Sequence, residues 1–198
     1  MPRSIRPSAM SVTSRCATGA RIGGLAAHAT RRPTQRQHSS PTAREFVVQG
    51  SNGERTIPAD EFFIDLFTTA LSPEEVLIKI NLPEPADNTS SAYEKFAHPA
   101  SGYPVCGVAA VVTRDGSGNV TSAKVVATGS TLKPTRLTGV EDAITGTSGD
   151  ADAVAAAAEH ANDGVNEWAG DHYASSEYRA HLTKVFAKRA LNSALGNG

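Results

Sequence analysis

VCGVAAVVT at Val105–Thr113, DGSGN at Asp115–Asn119 and VTSAKVVAT at Val120–Thr128 form the stretch of sequence that decides the fold. The two outer segments are rich in valine and threonine, and β-branched residues favour strands. The segment between them contains Asp, Asn and two Gly, which are the residue types that tight turns require. We therefore predict a β-hairpin here. A short strand at Tyr93–Phe96 precedes it, so we expect a three-stranded antiparallel meander.

Helical patterns follow this predicted sheet. Ser176–Leu195 has apolar residues at three- and four-residue intervals, which indicates a helix with one buried face. Ser175 or Ser176 offers an N-cap, and Gly196 offers a stop. The predicted buried stripe consists of Tyr178, Leu182, Val185, Phe186, Leu191 and Leu195.

Two shorter helices are predicted between the hairpin and this last helix, over Gly139–Ile144 and Ala151–His160. A run of strands followed by a run of helices is typical of an α+β fold. We expect the three-stranded antiparallel sheet to carry the helical bundle on one face. This C-terminal domain is predicted to span residues 88–196.

A separate unit is predicted over residues 45–83. Glu45–Gln49 is an apolar strand candidate with a hairpin partner at Glu54–Ile57, and Val76–Leu82 is a third strand candidate. Pro58–Asp60 is expected to open a helix. Its buried stripe would consist of Phe62, Phe63, Leu66 and Phe67.

Residues 1–44 differ from the rest of the chain in charge. They contain eight arginines and no acidic residue, whereas the remainder contains 11 basic and all 20 acidic residues. A disordered basic tail, an organellar transit peptide and a product of an altered reading frame are three interpretations that this composition allows. Of these interpretations, we favour a disordered tail or a product of an altered reading frame over a transit peptide.

The composition also bears on several classes of function. Cys16 and Cys106 have no CxxC or CxxH partner, and the six histidines show no metal-ligand spacing, so we expect no metal site. The acidic body argues against nucleic acid as a partner. No apolar run reaches the ~18 residues of a membrane span. We therefore expect a cytoplasmic protein without a membrane span.

One segment has the composition of a ligand-binding loop. Tyr93–Tyr103 reads YEKFAHPASGY, in which a strand containing Lys95 leads into a Pro/Ser/Gly loop that ends at Tyr103. Such a loop offers backbone N–H groups, a cation and a ring to a flat anionic ligand. An exposed lysine and a partly buried tyrosine would give the same pattern without any ligand.

The order of these segments resembles the FAD-binding medium subunit of the molybdenum hydroxylases, the family of aerobic carbon monoxide dehydrogenase and of xanthine dehydrogenases with separate subunits. Phe46–Leu195 carries the resemblance. The matching segments are GERTIPADEFF at Gly53–Phe63, LSPEEVL at Leu71–Leu77, Tyr93-x-Lys95, Pro134–Arg136, Glu141, Gly146, Ser176–Arg179 and Arg189–Leu191. RIGGLAAHATR at Arg21–Arg31 is similar to the second glycine-rich loop of the family's FAD domain.

The resemblance implies a cofactor, its contacts and its partners. FAD would lie near Lys95 and Tyr103, with Gly23 and Gly24 letting the backbone approach a phosphate. The partners would be a large subunit with the molybdenum cofactor and a small subunit with iron–sulfur clusters. Electrons would pass from those clusters through FAD to an external acceptor. No catalytic acid or base is expected in this chain, which would act as one subunit of an oxidoreductase and not alone.

An alternative function remains open at this point. The resemblance lacks the first glycine-rich loop of the family's FAD domain, which favours an N-terminally truncated chain. Such a chain would be a non-enzymatic remnant, or a module that docks onto partner subunits through its last helix and binds no flavin.

Overall fold

The structure is a computed structural model that describes residues 26, 27, 29, 45–81 and 86–197. Its strands and helices form two units that follow each other along the chain. The strands are β1 Glu45–Gly50, β2 Gly53–Pro58, β3 Phe63–Asp65, β4 Thr68–Thr69, β5 Val76–Asn81, β6 Thr89–Ala97, β7 Pro104–Arg114, β8 Val120–Thr128 and β9 Thr135–Arg136. The helices are α1 Ala59–Phe62, α2 Thr138–Ile144, α3 Ala151–Glu159 and α4 Ser176–Leu195, with a 3-10 turn at His160–Asn162.

The first unit is an antiparallel sheet with strand order β2-β1-β5. Alternate residues of β1 point into a small core, where Phe46 and Val48 are fully buried beside Ile57 and Phe62. The rings of Phe46 and Phe62 stack with their centroids 4.0 Å apart. The predicted strands of this unit are therefore present, with β5 ending at Asn81.

The helix predicted after Pro58 is wrong beyond its first turn. α1 ends at Phe62, and the chain then forms a tight antiparallel pair, β3 with β4. Phe67 is 61% exposed, so it does not continue a buried stripe. The β-branched residues at 64, 68 and 69 favour extended backbone, and a bond from the Ala70 N–H to the Phe62 carbonyl (2.9 Å) closes the hairpin.

Most of the predicted 1–44 segment lies outside the described residues. Ala26 and Ala29 are described and buried, and Ala26 belongs to the core of the first unit. The Phe67 N–H donates to the carbonyl of Ala29 at 2.8 Å. At these two positions the chain therefore packs against the following unit, which differs from the expected tail.

The second unit is an antiparallel sheet with strand order β6-β7-β8-β9. It has four strands where three were predicted, because the two residues of β9 pair with Val126 and Ala127 at the edge of β8. β6 begins at Thr89, earlier than predicted, since Thr89–Ser91 pair with the far end of β7. The hairpin over Val105–Thr128 is present as expected.

The helices cover one face of this sheet. Cys106, Val108 and other alternate residues of β7 pack with Leu182 and Phe186 of α4 in one core, whereas Tyr93 and Lys95 lie on the opposite face by strand alternation. α4 has its predicted ends. The Ser175 hydroxyl accepts from the Tyr178 N–H (3.2 Å), and Gly196 is left-handed at φ 77°.

Two features of the described residues bear on function classes. None of their helices combines the length and apolarity needed to cross a bilayer. Nor do they contain a group of three or more His, Cys, Asp or Glu side chains arranged to hold a metal ion.

One residue of the predicted buried stripe of α4 is wrong. Tyr178 is 45% exposed and therefore does not belong to the core.

Candidate functional site

The loop between β6 and β7, residues 98–103, forms one end of the four-stranded sheet. The His98 N–H donates to the carbonyl of Tyr103 at 2.7 Å, and the Gly102 N–H donates to the carbonyl of His98 at 2.8 Å. Gly102 has φ 69°, a left-handed conformation that favours glycine. The backbone itself therefore holds this loop in a defined turn.

Lys95 contributes a partly buried cation to this end of the sheet. Its ammonium donates to the carbonyl of Gly102 at 3.0 Å, which uses one of the three N–H donors of a lysine. Burial lowers the pKa of Lys95, because removing water disfavours the charged form. An incoming anion would therefore restore interactions that the ammonium has lost with solvent.

Tyr103 lies in the same loop, next to the Gly102 carbonyl that Lys95 contacts. It is partly buried, and its N–H donates to the Ser101 hydroxyl at 3.4 Å. The two described residues of the predicted site are therefore brought together by one loop. Gly23 and Gly24, the other predicted contacts, lie outside the described residues and stay a prediction.

A second aromatic residue reaches this loop from a distant part of the chain. The rings of His98 and Tyr173 have centroids 4.3 Å apart and planes inclined by 57°. Tyr173 is 41% exposed, so part of its ring surface is open to a ligand. Reasoning from sequence missed Tyr173, because its approach to His98 depends on the tertiary fold.

Tyr173 belongs to a turn that Asp171 organises. One carboxylate oxygen of Asp171 accepts from the N–H groups of Tyr173 and Ala174, both at 3.0 Å. The other oxygen accepts from Nη2 of Arg179 at 2.5 Å. Burial acts to raise the pKa of Asp171, but the two backbone N–H groups and the charge of Arg179 together lower it.

Arg179 joins the turn at Asp171 to the sheet. It is 5% exposed, and its Nη1 donates to the carbonyls of Val105 at 2.6 Å and Gly129 at 2.8 Å. Its Nε donates to the carbonyl of Ala174 at 3.3 Å. The guanidinium thus contacts three chain segments at this end of the sheet.

Tyr93 fills the sheet face beside Lys95. Burial raises the pKa of Tyr93 to about 12, although a hydrogen bond with Thr128 acts to lower it. Its hydroxyl lies over Gly107, where an added Cβ would be 2.3 Å from Oη. The phenol therefore stays protonated at neutral pH and acts as a packing residue.

Cys106 is a buried core residue. Its side chain is fully inaccessible, and its sulfur lies 3.6 Å from the Thr183 hydroxyl. Burial raises the pKa of the thiol, which disfavours the nucleophilic thiolate. Cys106 therefore packs as a small apolar residue of the core.

Comparison with known proteins gives a consistent result. A family described as the CO dehydrogenase flavoprotein C-terminal domain matches residues 91–194. The carbon monoxide dehydrogenase medium chain of Hydrogenophaga pseudoflava is 32% identical over 173 residues, which cover 87% of this chain and 60% of that protein. The 6-hydroxypseudooxynicotine dehydrogenase complex subunit alpha of Paenarthrobacter nicotinovorans is 27% identical over 149 residues, covering 75% of this chain and 50% of that protein.

Solved structures agree with the sequence relatives. The structure of H. pseudoflava carbon monoxide dehydrogenase that lacks the Mo-pyranopterin moiety of the molybdenum cofactor contains a chain with a TM-score of 0.86. That chain is 30% identical, and the match covers 96% of this chain and 65% of the other. This chain therefore spans between half and two thirds of the length of these relatives.

Proposed function

Because this chain belongs to the CO dehydrogenase flavoprotein C-terminal domain family, that of the FAD-binding medium subunits of molybdenum hydroxylases, we propose that it binds FAD and transfers electrons within such a complex. The observation that carries this proposal is the end of the four-stranded sheet, where Lys95, Tyr103 and the His98–Tyr173 ring pair lie close together. The resemblance of Tyr93-x-Lys95 to the family motif supports the same location.

The residues present fit the chemistry of the group. FAD combines a flat ring system with an anionic pyrophosphate. The partly desolvated ammonium of Lys95 suits an anion, and Tyr103 and Tyr173 offer ring surfaces at the same loop. When bound, the flavin supplies the capacity to accept and release electrons singly or in pairs.

The protein residues would bind and orient the cofactor without proton transfer chemistry of their own. Burial raises the pKa values of Tyr93 and Cys106, which makes each harder to deprotonate than the same group in water. The sheet and α4 provide a rigid support for the loop.

The proposal extends to the complex and to the domains. A molybdenum-cofactor large subunit and an iron–sulfur small subunit would supply the electrons, and a cytoplasmic location is part of the same proposal. We assign residues 45–83 to the end of a FAD-binding domain and 88–196 to the C-terminal domain. Gly23 and Gly24 would add phosphate contacts from the N-terminal side.

A second candidate function is docking without flavin. Ile64, Val76 and Ile78 are large apolar residues of the first unit that are 53%, 63% and 49% exposed. If these side chains adjoin one another, they form an apolar patch of the kind that marks surfaces that associate with other proteins. This observation favours a role in assembly, which is compatible with FAD binding but does not require it.

The visible absorption spectrum of the full chain after incubation with FAD and desalting tests the proposal. We expect retained flavin bands, and a Kd about tenfold higher for Lys95→Met, which keeps much of the side-chain length and loses the charge. Lys124→Met is the matched control, because Lys124 is an exposed lysine of the same sheet in the middle of β8, away from the 98–103 loop. A colourless protein that is folded by circular dichroism would reject flavin binding and leave the docking function.

A further inference from the structure

We propose that Arg179 is a positioning residue of the candidate flavin site, which sets where Tyr173 and the 98–103 loop stand without touching the ligand. This inference rests on the proposed function and deepens it. It adds His98 and Tyr173 as residues that would contact the cofactor's ring system, and it explains how they are held.

The buried Arg179 side chain has acceptors for its charged guanidinium. A charged side chain that is 5% exposed requires partners, because an unpaired buried charge is strongly disfavoured. Arg179 has a carboxylate and three carbonyl groups as acceptors. A planar guanidinium with five donors in fixed directions can serve several acceptors at once, whereas a lysine ammonium cannot replace that geometry.

Two of the carbonyl groups that accept from Arg179 lie near the end of the 98–103 loop. Val105 follows the 98–103 loop by two residues. The hydrogen bond from Arg179 to its carbonyl therefore holds the start of β7, where the loop ends. Gly129 lies against the same point from the end of β8. An added Cβ at Gly129 would be 2.5 Å from the Pro104 carbonyl oxygen, and its φ is 75°. The hydrogen bonds of Arg179 and the close approach of Gly129 to Pro104 therefore hold the C-terminal end of the loop in place.

Asp171 links Arg179 to Tyr173. Asp171 accepts from Arg179 with one oxygen and from the backbone of Tyr173 with the other. The orientation of the turn therefore depends on the guanidinium. Because the Tyr173 ring contacts His98, the same ion pair determines how the ring pair stands over the loop.

The Asp171–Arg179 pair contributes more to positioning than to stability. The Asp171 side chain is 41% exposed, and ion pairs with an exposed partner contribute little to stability. The core beneath is closed by apolar side chains of α4 such as Leu182, Phe186 and Leu191. The main consequence of the Asp171–Arg179 pair is therefore the geometry of the Tyr173 turn.

Asp171→Asn in the full chain tests the inference, because substitution of Arg179 itself endangers folding. The asparagine keeps an oxygen for the Tyr173 N–H and loses the charged pair with Arg179. Glu159→Gln is the matched control, since Glu159 also pairs with a cation of α4, Lys184, at 3.0 Å. Tyr173→Leu removes the ring itself.

The first measurement is the NMR shift of the His98 ring protons without FAD, assigned by loss of the signals in His98→Gln. We expect Asp171→Asn to move these signals toward their positions in Tyr173→Leu, and Glu159→Gln to leave them in place. The second is the Kd for FAD by titration. We expect this Kd to rise several-fold in Asp171→Asn. The Asp171→Asn/Tyr173→Leu double variant should have no higher a Kd than Tyr173→Leu alone.

Unchanged His98 signals in Asp171→Asn would overturn the positioning role, and so would additive effects on Kd, since independent sites add. A response of His98 in a chain that binds no FAD is a different result. It would support the positioning of the ring pair by Arg179 and would reject the proposed flavin function.

Discussion

Gly107 lies opposite Lys95 in the sheet, and the Tyr93 hydroxyl occupies the space where a side chain would begin. We predict that Gly107→Ala destabilises the protein by about 1–3 kcal/mol, the usual cost of overpacking. The new Cβ would be 2.3 Å from Tyr93 Oη and 2.9 Å from the adjoining ring carbon, so the rigid ring must move and give up its bond to Thr128. Urea unfolding measures the difference.

The control is Tyr93→Phe in the Gly107→Ala background, which removes the atom closest to the new methyl group. Part of the lost stability should return in this double variant. If Gly107→Ala is as stable as the parent chain, the close packing of Tyr93 on Gly107 is contradicted.

The residues of the site differ in how visible they are in the sequence. Lys95 and Tyr103 belong to one strand and the loop that follows it, so a local pattern suffices to select them. Tyr173 and Arg179 reach the same place only through the packing of α4 on the sheet, and no local pattern encodes that approach. Arg179 was matched to the family motif, but its contacts with Val105 and Gly129 emerge only in the fold.

At the scale of elements, Glu141 joins α2 to the sheet. It is buried, and its carboxylate accepts from the Val125 N–H of β8 at 2.8 Å and from Arg136 of β9. We predict that Glu141→Ala costs about 1–3 kcal/mol of stability, because the Val125 N–H loses a buried acceptor. Thermal or urea unfolding checks this value.

Two variants test whether the hydrogen bond is responsible. Glu141→Gln keeps an acceptor for Val125 and should lose less stability than Glu141→Ala. Asp142→Asn changes the exposed neighbouring acid and should alter stability by less than about 0.5 kcal/mol. Equal losses in all three variants would refute the link between α2 and β8.

The first unit contains a pH-dependent contact. Glu75 accepts from Arg55 Nε at 2.6 Å, from Arg55 Nη2 at 2.8 Å and from the Ser72 N–H at 2.7 Å. The hydrogen bond from Arg55, followed by that from Ser72, lowers the pKa of Glu75 from 4.5 to about 2. Because the pKa of Glu75 is lower in the folded state, the contact stabilises the fold fully at a pH above 4.5, the ordinary pKa of a glutamate. This stabilisation is lost as the pH falls toward 2.

We therefore predict that Glu75→Gln is less stable than the parent chain at pH 6 and that the difference shrinks between pH 4.5 and pH 2. Urea unfolding across this range provides the measurement, with Glu74→Gln as the control for loss of an exposed negative charge. A difference between Glu75→Gln and the parent that is constant from pH 6 to pH 2 would contradict the Arg55–Glu75 contact.

The success of prediction also varied between elements. Ser176–Leu195 was predicted with both ends, because a long amphipathic repeat with a serine cap and a glycine stop is a strong signal. The segment after Pro58 was predicted wrongly, because its aromatic residues fit either a helix or a tight hairpin. The core formed by Phe46 and Phe62 decides between them, and that core contains β1 from earlier in the chain.

At the scale of the whole molecule, the order of sheet and helices sufficed to predict an α+β fold. The sequence did not reveal β9, because two residues at a sheet edge leave no pattern. It also did not reveal that two segments separated by some seventy residues meet at one end of the sheet. Because these segments come together, the His98–Tyr173 ring pair lies at the same loop as Lys95. This arrangement is our central claim about function.

The most direct test of that claim is an amide chemical-shift map of the full chain with and without FAD. We expect saturable shifts that concentrate on Lys95–Val105 and on Asp171–Ala174, the two segments that Arg179 joins. Absence of shifts at saturating FAD, or shifts that concentrate on the first unit and leave these segments unchanged, would contradict it.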